Sequence, residues 1–141
     1  MRSYRLTKVQ ELGIEAGVRR HGLGSNTIVF GISEGLDIDR LSAAVEAIGE
    51  HFNVLRRSFL RDDRGWHAME GNVAPAKLMQ YDLRGAAKDE LWPTIDQLRH
   101  RLWRPEIAPL YQCTLVQTPN NNLLFLLSLI HISEPTRPER I

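Results

Sequence analysis

Gly35-Leu36-Asp37-Ile38-Asp39-Arg40-Leu41-Ser42-Ala43-Ala44-Val45-Glu46-Ala47-Ile48-Gly49-Glu50-His51-Phe52-Asn53-Val54-Leu55-Arg56-Arg57-Ser58-Phe59-Leu60-Arg61 changes its hydrophobic period part-way along. Leu41, Ala44, Val45, Ile48 and Phe52 recur at the spacing of one helical face, while Glu46 and Glu50 lie off it. Asp37 or Asp39 can cap this helix, because a short carboxylate accepts from an early backbone N–H. Residues 54–61 then read as a strand. Asp62-Asp63-Arg64-Gly65 is hairpin-turn chemistry, and residues 66–70 run back beside the first strand.

The same two rhythms extend outward. Upstream, residues 6–18 carry a weak helical stripe of Leu6, Val9, Leu12 or Gly13, and Ala16, with Thr7 as N-cap. Gly22-Leu23-Gly24-Ser25 breaks it. Residues 26–32 are rich in β-branched and aromatic side chains and read as a strand. Downstream, residues 78–82 form a short strand. A second helix is expected over 89–103, with Leu91, Ile95, Leu98 and Leu102 as its stripe. Pro93 fits if it lies in the first turn, where its missing N–H has no intrahelical partner. Pro105 stops that helix. Residues 111–117 alternate as a strand, Pro119-Asn120-Asn121-Asn122 turns the chain, and the continuous apolar run from Leu123 reads as a buried central strand. The sum is α+β, an α/β sandwich of about six strands and three helices. Helices on this pattern provide the crossovers that a parallel strand pair needs.

Composition excludes several classes of function. Hydrophobic residues make up 43% of the 141 and charged residues 25%, a globular balance. Eighteen basic residues face 17 acidic ones, so the net charge of +1 gives no reason to expect a nucleic-acid or anionic-membrane partner. Cys113 is the single cysteine. It cannot form an internal disulfide and has no spacing partner for zinc. The opening residues lack a signal peptide's apolar stretch, and the run from Leu123, interrupted by Ser128 and His131, is too short to span a bilayer. A reducing, cytoplasmic setting is expected.

Several short motifs, taken in order, resemble a known family. Leu6-Thr7-Lys8-Val9-Gln10 is similar to the Leu-Thr-x-x-Gln opening of the condensation domains of nonribosomal peptide synthetases. A strand, a turn at Gly35-Leu36-Asp37 and an amphipathic helix follow in the family's order. Leu55-Arg56 and Phe59 match its His-Glu-x-Leu-Arg-Thr-x-Phe segment, with Phe52-Asn53 in place of His-Glu and His51 one place early. Asp82-Leu83, Arg104-Pro105 and Ala108-Pro109-Leu110 resemble later pieces. Each motif is weak alone; their order over residues 6–126 carries the match. The resemblance implies part of the N-terminal lobe of a two-lobed fold like chloramphenicol acetyltransferase. It implies an enzyme that joins a donor acyl group on one carrier protein to the amine of an acceptor on another, both substrates riding on phosphopantetheine arms in secondary-metabolite biosynthesis. The implied partners are those carrier proteins and the missing C-terminal lobe, with no cofactor bound directly. An epimerisation domain or a free-standing ester-forming acyltransferase shares these early motifs. A degenerate module that only binds carrier proteins is the third reading.

The family's His-His-x-x-x-Asp-Gly motif belongs at the end of the strand that begins at Leu123. Its second histidine serves as, or positions, the base for the attacking amine. Here Ile130 stands at the first histidine, His131 at the second, Pro135 at the aspartate and Thr136 at the glycine; Glu134 is one place early. The eleven residues Leu127-Ser128-Leu129-Ile130-His131-Ile132-Ser133-Glu134-Pro135-Thr136-Arg137 instead resemble the in-frame translation of a transposon-end sequencing adapter. The expected division is therefore 1–126, the N-terminal part of a condensation domain, and 127–141, a non-native tail. No catalytic, cofactor-binding or metal-ligating residue is assigned, and the chain alone is expected to be inactive.

The remaining candidates have plainer explanations. His21, His51, His67 and His100 show no metal-ligand spacing. Arg56 is expected as a local ion-pair partner more than as a channel residue. At least two of Trp66, Trp92 and Trp103 should be core, and Cys113 should be a small buried hydrophobe. Arg99, Arg101 and Arg104 suit a helix C-terminus. The expected isolated lobe exposes surfaces built for the missing chain, including the edge of its last strand.

Overall fold

The computed structural model describes residues 2–19, 25–32, 35–70, 73–98 and 103–129. Its elements run β1 (Arg2–Arg5), α1 (Lys8–Arg19), β2 (Ser25–Ile32), α2 (Ile38–His51), a 3-10 turn (Asn53–Arg56), β3 (Arg57–Asp62), β4 (Gly65–Glu70), β5 (Met79–Asp82), α3 (Lys88–Leu98), β6 (Tyr111–Gln117) and β7 (Asn122–Leu129). They form two sheets. An antiparallel sheet is ordered β1-β4-β3, and a mixed sheet is ordered β2-β7-β6-β5. The architecture is α+β, as expected, with seven strands among the described residues.

The run from Leu123 is central, as its composition required. β7 pairs with β2 on one side and β6 on the other, both antiparallel. Its alternate residues enter different cores. Phe125 and Leu127 join Leu6, Ile14, Phe59, Trp66 and Trp103 in the larger one. Leu124 and Leu126 face the smaller one, around Val45, Tyr111, Cys113 and Leu115. The mixed sheet is thus a wall between two apolar layers, which is why β7 shows no polar alternation. α2 covers one side. The side chains of α1, α3 and the small sheet contribute to the layer on the other.

β5 and β6 are parallel, and α3 lies between them in sequence as their crossover. α2 makes no such connection, since it leads into β3 of the other sheet. β1 escaped the sequence reading because Arg2 and Arg5 leave a four-residue strand without an apolar pattern. Charge suits its place at the edge of the small sheet. The β3–β4 hairpin closes on Asp63-Arg64. Asp62 Oδ1 accepts from the Arg64 N–H at 2.7 Å, and Gly65 takes φ +107°, which a side chain would resist.

Two of the three helices, α1 and α3, depart from expectation in part. Thr7 caps α1 in a reciprocal box. Its Oγ1 accepts from the Gln10 N–H at 3.3 Å, and Gln10 Oε1 accepts from the Thr7 N–H at 3.0 Å. That box turns Gln10 inward, so the buried line is Leu6, Gln10 and Ile14. Val9 and Leu12, expected on the stripe, are exposed. In α2 the cap is Asp37, accepting from the Arg40 N–H. α3 begins at Lys88, so Pro93 is its sixth residue and lies beyond the first turn. The Thr94 hydroxyl donates to the Glu90 carbonyl next to the bond that Pro93 removes. The helix is described to Leu98; its expected continuation through Leu102 lies outside the described residues, and Trp103 is buried in the larger core.

The last strand has no open edge over residues 122–128, because β2 and β6 flank it. The outer strands of the mixed sheet are β2 and β5, and on β2 the side chains of Ile28, Val29 and Phe30 are all about half exposed.

Candidate functional site

The site indicated by the sequence is the C-terminal end of β7. Register places Leu129 opposite Ser25, and Ser128 between Asn26 and Tyr111. The division expected at 126/127 falls inside this strand, and Leu127 is buried in the larger core. His131, Glu134, Pro135 and Thr136 lie outside the described residues, as do His21, His100, Arg99 and Arg101.

Beside this strand end, a cleft of about 360 Å³ opens between α2 and the mixed sheet. Leu41, Ala44 and Ile48 form one wall. Leu124 and Leu126 form the floor, and Ile28 stands on the far side. None of the described residues lining it is charged. The cleft explains why the α2 stripe is only partly buried. Val45 and Gly49 pack inward, while Ile48 remains 50% exposed along the opening.

Gly49 is where α2 touches the strand end. A Cβ there would fall on the Tyr111 hydroxyl and lie 2.5 Å from the Pro75 Cβ. The Tyr111 Oη accepts from the Ala76 N–H at 2.9 Å, and burial pushes the phenol above its ordinary pKa. Gly49, Tyr111 and the 75–76 segment therefore form one corner. The only sequence signal for it was a glycine inside an otherwise apolar helical pattern.

The motif residues turn out to secure other corners. Arg56 lies in the 3-10 turn, where its Nη2 donates to the Glu50 carbonyl and to Asn53 Oδ1. It ties the end of α2 to the 3-10 turn through hydrogen bonds. The buried ion pair belongs to the next residue: Arg57 Nη2 meets Glu70 Oε1 at 2.8 Å, with both side chains largely covered. Phe59 is core, and its N–H donates to the Pro105 carbonyl at 2.7 Å. Arg84 grips Asp82 through two side-chain N–H groups and its own backbone N–H. That grip lowers the Asp82 pKa from 3.8 to about 2. The Leu83 N–H donates to the Gln117 carbonyl at 2.8 Å, and Leu110 is fully buried.

The other candidates resolve simply. Trp66 and Trp103 are core, as two of the three tryptophans were expected to be, and Trp92 is exposed. Trp66 Nε1 also donates to Glu15 at 2.8 Å. Cys113 is buried, and desolvation raises its thiol pKa, so the reactive thiolate is disfavoured. His67 meets Asp62 at 3.0 Å on the hairpin, and His51 packs edge-on against Phe52. No cluster of three metal-ligating side chains occurs among the described residues. No helix among them is long and apolar enough to cross a membrane.

The architecture is shared with known structures. The first condensation domain of the calcium-dependent antibiotic synthetase superposes with a TM-score of 0.77 at 20% identity, over 92% of this chain and 33% of that one. This is a condensation-type fold. The epimerization domain from the third module of tyrocidine synthetase B superposes with a TM-score of 0.74 at 20% identity, over 90% of this chain and 30% of its own. The cyclization-docking bidomain of EpoB from Sorangium cellulosum gives 0.72 at 23% identity, over 91% and 26%. The chain spans about a third or less of these condensation-type structures, and the rest of such a domain has no counterpart in its 141 residues. No family profile matches the chain, and no curated protein does.

Proposed function

We propose that the chain is the N-terminal part of a condensation-type acyltransferase domain of a nonribosomal peptide synthetase. The observation that carries this reading is the agreement of two independent lines. The fold superposes on a condensation domain over 92% of the chain, and the motif residues Gln10, Phe59 and Leu110 are buried within it, while Arg56 and Asp82 make local hydrogen bonds at its surface. In this reading the whole domain attacks a donor thioester with an acceptor amine, forming an amide and releasing a thiol. Both substrates arrive on the phosphopantetheine arms of carrier proteins in the cytoplasm. The chain itself holds neither cofactor nor metal and is inactive, because the channel needs both lobes. Epimerization and cyclization domains share the fold, so an epimerising or ester-forming activity is the alternative within it, and a carrier-binding module without turnover is the alternative outside it.

We also propose that residues 127–141 are not native, and that His131 supplies no base. The support is the loss of three of the four expected motif residues within a segment resembling adapter-encoded sequence.

The test is a product assay by mass spectrometry with donor-loaded and acceptor-loaded carrier proteins, alongside a binding titration. The expected result for the 141-residue chain is no amide. Amide formation by the chain alone overturns the assignment of inactivity. Binding without turnover by a full-length version favours the carrier-binding module.

A further inference from the structure

We draw no further inference here: the strongest candidate, the apolar cleft between α2 and the mixed sheet lined by Ile28, Leu41 and Ile48, is an unpartnered face beside a half-exposed edge strand, and nothing in the structure shows what covers it.

Discussion

Leu127→Ala is the substitution whose cost the structure fixes most tightly. The side chain is 1% exposed and packs in the larger core with Phe125, Leu110 and Val116. Its backbone is held between Thr27 on β2 and Gln112 on β6, so the site cannot collapse easily. Losing a buried leucine's transfer energy and leaving a cavity costs 2 to about 5 kcal/mol, with about 3 expected here. At roughly 3 to 5 °C per kcal/mol for a chain of this size, the melting temperature should fall by about 10 °C. Ile48→Ala is the internal control. Its side chain is half exposed along the cleft, so the loss is about 1 kcal/mol or less. Urea and thermal unfolding of both variants, followed by circular dichroism, checks the difference. Equal destabilisation would mean that β7 does not continue in register through residue 127, and would refute the two-layer core.

Gly49→Ala should destabilise by about 1 to 2 kcal/mol despite alanine's better helix propensity, because the new methyl meets the Tyr111 hydroxyl and Pro75; urea midpoints measure it. Arg84→Ala should return the Asp82 carboxyl from about 2 toward its ordinary 3.8, read by carbon-detected NMR titration. Because the folded value is the lower one, this contact supports folding above about pH 4, and its contribution is lost as pH falls through about 2. Cys113 should resist iodoacetamide at pH 8 in the native chain and react readily in urea, since burial raises its pKa; native labelling as fast as unfolded labelling refutes its placement.

Much of the fold is legible in the sequence wherever one physical signal dominates. The continuous run from Leu123 needed cover on both faces and received it. Asp62-Asp63-Arg64-Gly65 closes the hairpin, and the β5–β6 pair is parallel across α3. The failures have a common form. Gln10 is polar yet buried because its amide serves the helix cap, and this rotates the α1 stripe away from Val9 and Leu12. β1, with two arginines in four residues, offers no apolar alternation to read. Ile48 matches the helical period and still faces an opening, since periodicity reports what a face is suited to meet, and its partner need not be in the same chain. The site was the least legible part. Gly49, Tyr111 and Ala76 meet through tertiary contact over 35 residues of sequence between hydroxyl and amide, and no local pattern encodes that.

The measurement that bears most directly on the account is long-read sequencing of the locus downstream of codon 126. The account predicts that the native reading frame leaves this sequence there and continues into condensation-type sequence, with a His-His-x-x-x-Asp-Gly motif at the end of the β7 strand. An uninterrupted gene encoding the Ile130-His131-Ile132-Ser133-Glu134-Pro135-Thr136 tail as it stands would contradict it.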